Sequence, residues 1–335
     1  MRRTDLTAIG SIMFAIPTQR CKYRKPTPQN RKFLILFLAL ALATWGCRPS
    51  RQNPVVIFCS PDSPRMRQAI GGLQENLKDL PLKVVCAPAS DRGIREQLRR
   101  ARQLRPRLLV VLGTPALLQV APVEKSTPVV FSLVSNPYFT NAAYAAEHPE
   151  DHQENVTGIA SPPPLEAALK QGSGLLGSAP WGLLYDPTDG VAADLAQEFG
   201  QLAPRLGIKP LIEESRAAAT DRPQLERLLA RGARVIYLPP AASATRYAPL
   251  LLDWGRRLKV MVVSGYPEGP HRGALLWLAL DYRRLGAETA ALARRVLQGE
   301  SPKTIPIAQK TPIIMEVDEK LLRFFRGYPP PHPAP

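Results

Sequence analysis

A chain of 335 residues has room for two domains with separate cores plus peripheral segments. Its 45% hydrophobic and 21% charged residues are ordinary for a soluble globular protein. The formal charge of +16 suggests nucleic acid only until it is located: residues 1–46 hold eight Lys or Arg and one acid, and the remaining excess is scattered. Nothing resembles a zinc knuckle, a stacking ribbon or a basic zipper, so no nucleic-acid partner is expected.

Arg31 and Lys32 precede the apolar run FLILFLALALAT, which leads into Trp45, Gly46 and Cys47. This charged, then apolar, then small order is that of a secretory signal, and the run is short for a bilayer-spanning helix. Cys47 falls where a bacterial lipoprotein signal is cut: Gly46 fits the site before it, while Thr44 and the bulky Trp45 depart from the usual lipobox. Lipidation of Cys47 is the expectation, with a retained signal anchor as the alternative. Residues 1–46 are therefore a signal segment and residues 47–53 a polar tether. Cys59 and Cys86 remain in the exported part, as a disulfide or as two buried thiols. No His or Cys cluster has metal-site spacing, and none of the four His lies near a candidate nucleophile.

Beyond the tether, continuous apolar runs alternate with stretches of helical period, the pattern of βαβ units. Strands are predicted over 55–58, 82–85, 108–112 and 129–133, with helices over 64–80 and 91–103. The second of these carries Arg95, Arg99, Arg100 and Arg102, read as a solvated face rather than a phosphate-binding stripe. Residues 138–154 are polar and aperiodic and read as a surface excursion. A second series follows, with helices over 164–176, 191–206, 222–230 and 244–257 and strands over 182–185, 209–213, 235–238 and 260–263. Then come a strand over 273–280, an amphipathic helix over 282–297 stopped at Gly299, strands over 305–307 and 313–317, and a Pro-rich tail.

Seven of the apolar runs end in a small or polar residue closely followed by proline: VVIFCSPDSP, KVVCAPAS, LLVVLGTPA, PVVFSLVSNP, GLLYDPTDG, RVIYLPPAAS and VMVVSGYPEG. They read as parallel strands whose carboxyl ends open into loops. In such a sheet a ligand sits beyond those ends, where the next helix presents unpaired amides. The fold class is α/β: two Rossmann-like lobes with parallel sheets joined by a multi-strand hinge. Lobe 1 is expected over 54–157 plus 273–303, lobe 2 over 158–272 plus 304–326, and a tail over 327–335.

The segments GTPA, PVVFSLVSNP, NVTGI, GLLYDP, RGALLWLALDYRRLG and ARRVLQGESPKTIPI, in this order, resemble the ABC-transporter substrate-binding lipoproteins of the tryptophan/tyrosine-transporter type. The likeness spans nearly all of residues 55–322 and implies the periplasmic-binding-protein type I fold. It implies a small ligand, an amino acid or a related solute, held between lobes that bend near residues 155–159, 272–274 and 304–306. It further implies ABC permease and ATPase subunits as partners, a monomer, and no cofactor.

Strand ends supply the candidate contacts. Ser60, Thr114 and Pro115 stand where a carboxylate or phosphate meets a helix start, with helix capping by Thr114 as the alternative. Ser135 and Asn136 occupy a place where the family more often has Thr-Asp. Tyr185 and Asp186 end their strand, with turn chemistry favoured for Asp186. Ser243 is the remaining hydroxyl in a PPAASA loop that departs from the family's polar one, which points to a less polar solute than a plain amino acid. Tyr266 either covers a planar ligand or packs beneath a loop. Asp281 reads as a helix cap. An enzyme on the same architecture lacks its marks here: no GxSxG, no GxGxxG after the first strand, no phosphate loop. A lipoprotein sensing a solute for a membrane signalling partner is the other reading.

Overall fold

Odd and even residues of the first strand belong to different cores. The computed structural model describes residues 53–177, 179–215, 221–257, 260–266 and 273–326. Strands β1 (Val55–Cys59) and β3 (Leu108–Leu112) are buried along their whole length. On one face Val56, Phe58, Leu109 and Val111 pack with Ile94, Leu98 and Leu117; on the other Val55, Ile57, Leu108 and Val110 pack with Met66, Leu73 and Leu285. A strand covered on both sides must be apolar at every position, which is why these runs lack alternation. Helices α1 (Pro64–Asn76), α2 (Asp91–Gln103) and α3 (Thr114–Val120) supply the early part of this cover.

The first sheet adds β2 (Leu82–Cys86), β4 (Val129–Val134) and β5 (Val156–Ala160) in the order β2-β1-β3-β4-β5, all parallel. Cys59 and Cys86 are register partners on β1 and β2 and form a disulfide. The second sheet contains β6 (Trp181–Tyr185), β7 (Pro210–Glu214), β8 (Val235–Leu238), β9 (Met261–Ser264), β10 (Leu276–Leu280) and β11 (Ile313–Val317). Its order is β11-β10-β9-β8-β6-β7, with β11 antiparallel to β10. Helices α4 (Leu165–Leu176) and α5 (Gly190–Arg205) cover one face; α6 (Arg222–Ala230) and α7 (Ala248–Arg257) cover the other.

Helix α8 (Tyr282–Leu297) leaves the second sheet and returns to the first lobe, where Leu285, Ala290 and Ala293 join the β1/β3 core. It meets α1 through two glycines. A Cβ on Gly72 would lie 2.0 Å from the Arg283 carbonyl oxygen, and one on Gly286 would lie 2.1 Å from that of Ala69. Ion pairs Arg283–Glu75 and Arg294–Asp79 flank this contact. The chain closes with α9 (Glu319–Arg326).

Two sheets in two lobes is the expected class, but the boundaries differ from the sequence reading. Of residues 155–159, expected at the hinge, all but Asn155 lie in β5 of the first sheet, and β10, expected in lobe 1, belongs to the second. Residues 305–307 form no strand; a single bridge joins Ala308 to Ile159, which keeps this segment in the first lobe. The chain therefore crosses at 161–164, at Asp281 and at 309–312. Each crossing falls just beyond the end of a strand or bridge rather than inside the motif that precedes it. Of the expected bending point at 272–274, Gly273 packs against the Leu252 carbonyl and Ala274 joins the second-lobe core, so no crossing falls there. Arg272, the signal segment with Cys47, and the tail over 327–335 lie outside the described residues. Among the described residues no helix is long and apolar enough to cross a membrane.

Candidate functional site

Because most strands are parallel, their carboxyl ends open onto one crevice, and helix starts follow them. A cleft of about 620 Å³ occupies this crevice. From the first lobe it is lined by Ser60 and Pro61 after β1, Gly113 to Pro115 after β3, and Ser135 and Asn136 after β4. Gly190, Val191 and Asp194 of α5 line it from the second lobe, with Pro240, Ala242 and Gly265 after β8 and β9. Two crossings contribute Ser161, Pro163 and Pro164, and then Leu280 and Tyr282. The size is that of a small-molecule site.

Five of the expected contacts thus share one cleft: Ser60, Thr114, Pro115, Ser135 and Asn136. The Ser60 hydroxyl donates to the Pro88 carbonyl at 3.2 Å, leaving its lone pairs for the cleft. Thr114 does not cap its helix; the cap position is Gly113, at φ +95°. A Cβ on Gly113 would lie 2.6 Å from the Ser60 carbonyl oxygen, so glycine permits both the backbone turn and the approach of the two loops. Asn136 caps the short turn Pro137–Thr140, its Oδ1 accepting from the Tyr138 amide at 3.1 Å.

The other four expected contacts do not line the cleft. Asp186 accepts from the Thr188 hydroxyl at 2.6 Å and amide at 2.9 Å, and pairs with Arg246 at 3.0 Å. These bonds, the Thr188 hydroxyl first, outweigh burial and hold its carboxyl below the usual range. Arg246 also reaches Asp221 at 3.4 Å and the Ser215 hydroxyl at 2.6 Å, tying together the loops beyond β6 and β7. Tyr185 donates to Glu214 at 3.2 Å; burial and that carboxylate raise its phenol pKa. The Ser243 amide is bound by Asp189 at 2.9 Å, and its hydroxyl is buried without a partner. The Tyr266 carbonyl accepts from Trp277 at 2.6 Å, and the ring packs on the β8/β9 core.

Sequence reasoning missed Arg65, Leu133, Phe139, Ser161, Val191 and Asp194. Arg65, in the first turn of α1, lies over the Tyr282 ring with its guanidinium carbon 5.9 Å from the centroid. Burial raises the Tyr282 phenol pKa while Arg65 opposes it. Leu133 has φ +57° at an irregularity where β4 shifts register against β5, a left-handed backbone that costs about 1 kcal/mol for a branched residue. Phe139 is 71% exposed at the lip. Asp281 accepts from the Arg284 amide at 3.0 Å, the helix cap expected of it. Among the described residues no group of His, Cys, Asp or Glu could hold a metal.

Two α/β lobes, mostly parallel sheets and a crevice at their strand ends define a two-lobed solute-binding protein. The chain belongs to the ABC transporter substrate binding protein family, whose sequence model matches residues 54–320. No curated protein matches it significantly by sequence. Among solved structures, it is similar to an open, ligand-free substrate-binding protein with adhesive properties from Clostridium difficile. That pair shares 19% identity, 83% of this chain and 96% of the other, at a TM-score of 0.67. A Streptococcus pneumonia ABC domain in complex with L-Trp is 16% identical over 82% and 95% of the chains, with a TM-score of 0.63. A conserved domain protein from Vibrio cholerae gives 20%, 81%, 94% and 0.64.

Proposed function

We propose that the chain traps a small solute, amino acid-like or less polar, by bending at its three crossings, and delivers it to a permease and ATPase pair. Its place is outside the cytoplasmic membrane, held there as a monomer by lipid on Cys47, and it performs no chemistry on its ligand. The observation that carries this reading is a cleft of about 620 Å³ walled from both lobes and from two of the three crossings. Closure around such a cleft expels water and strengthens every polar contact inside it. Ser60, Thr114, Ser135 and Asn136 supply those contacts from the first lobe, with Pro115 setting the start of α3. The walls add Pro61, Pro163, Pro164 and Pro240, which have no amide hydrogen to donate and favour an apolar ligand body. A disulfide between β1 and β2 suits an oxidising compartment.

The test is to identify by native mass spectrometry the solute retained by the purified protein, then add it back during thermal unfolding. A ligand at a hundred times its Kd stabilises by about 2.7 kcal/mol. Val191→Trp fills the cleft from an exposed position on α5 and is expected to abolish the shift without lowering the unliganded Tm. A variant that still responds as wild type does would place the solute elsewhere.

A further inference from the structure

We infer that Arg65 selects the ligand and that the cleft takes a small organic carboxylate with a compact apolar body, an α-ammonium group not being required. This rests on the proposed solute-binding role of the same cleft. Among the described residues lining the cleft, Arg65 is the single cation and Asp194 the single carboxylate. Asp194 is exposed and belongs to the opposite lobe.

No carboxylate of the described chain pairs with Arg65. The nearest acid in sequence, Asp62, is held by Arg67 at 2.8 Å. Arg65 is half-buried, and its guanidinium lies over the Tyr282 ring. An aromatic face orients a guanidinium plane but does not neutralise its charge. A cation partly withdrawn from water, beside largely apolar walls and without a counter-ion, acquires its counter-ion from the ligand. A carboxylate meets the guanidinium fork, and hydroxyls of Thr114 and Ser135 stand in the same cleft for its remaining lone pairs. Nothing on the first lobe provides the same for an amine: Asn136 is an amide, and its oxygen already accepts from Tyr138. Met66, Leu133 and Phe139 receive the apolar body.

The experiment uses the full chain and matched probes differing only in charge: 3-phenylpropionate against 2-phenylethylamine, and 4-methylpentanoate against isopentylamine. The acids are expected to raise the Tm and bind measurably by calorimetry, and the amines to do neither. Arg65→Gln is expected to weaken acid binding about tenfold or more, the worth of a charge-assisted pair. Its unliganded Tm should change little, since the side chain has no ion pair to lose and gives up only its contact with the Tyr282 ring. Binding of amines equal to that of acids, or acid affinity within twofold of wild type in Arg65→Gln, overturns the inference, as does a failure of both acids to bind. If the solute retained on purification is an amine or a neutral molecule, Arg65 is not the selector but the solute-binding role stands. If no solute is retained and no probe binds, both fall.

Discussion

Gly113 shows how little separates this cleft from a blocked one. Its positive φ and the 2.6 Å approach to the Ser60 carbonyl are both intolerant of a side chain. Gly113→Ala is expected to destabilise the protein by about 1–3 kcal/mol and to diminish the ligand-induced Tm shift, read by thermal unfolding with and without solute. Asp186 gives a pH-dependent counterpart. Its carboxyl is held below its ordinary value of 3.8, so its stabilising contribution is complete above that value and lost as pH falls toward the lowered one. Acid unfolding of Asp186→Asn should therefore be shallower than that of wild type below pH 3.8, while neutral-pH stability drops because the Thr188 and Arg246 contacts weaken. Ser60, Thr114, Ser135 and Asn136 were readable because each follows an apolar run directly, and a parallel strand must deliver that position to the crevice. Arg65 was not, since one Arg in the first turn of a helix looks like any solvated charge until the returning helix brings Tyr282 beneath it. The turn favoured for Asp186 is there, in its bonds to Thr188; its ion pair with Arg246 is not legible, because the partner is 60 positions away and no local spacing reveals it.

At the scale of elements, the two lobes are held differently. The first lobe depends on the glycine contact between α1 and α8, where backbone meets backbone. Gly286→Val would push the helices apart and is expected to lower the Tm by several degrees, with lobe 1 unfolding first in hydrogen exchange. In the second lobe the loops beyond β6 and β7 converge on Arg246, whose removal leaves Asp186 and Asp221, 6% and 7% exposed at their side chains, without a counter-charge. Arg246→Met should destabilise that lobe while leaving the α1/α8 contact intact, a difference hydrogen exchange resolves. Most strands and helices were legible from periodicity, because strands buried on both faces read as unbroken apolar runs. β5 escaped: VTGIA is short and interrupted by Gly158, whose missing side chain makes way for Phe131, a Cβ there lying 2.5 Å from the ring. Because periodicity does not reveal β5, the sequence places the lobe boundary within the motif and not at the end of the strand it forms.

For the molecule as a whole, the disulfide pins the start of the first sheet and the late return of α8 completes its core. Cys59 and Cys86 close a loop of sequence separation 27, worth about 3.5 kcal/mol by loop entropy. Reductant, or the double substitution Cys59→Ser/Cys86→Ser, is expected to lower the calorimetric Tm by several degrees; no change would show the bridge to be dispensable. The return of α8 has a further consequence, for the order in which the chain can be completed. Val55, Ile57, Leu108 and Val110 are made early, yet part of the cover for their face, Leu285, Ala290 and Ala293, is made only after the entire second sheet except β11. A growing polypeptide halted at residue 281 therefore carries a finished set of first-sheet strands with one side only partly covered, by α1 alone, a surface that sticks to its own kind or to a holding chaperone. The protein's amino-terminal half has to wait, unfinished, for nearly the last helix to be synthesised.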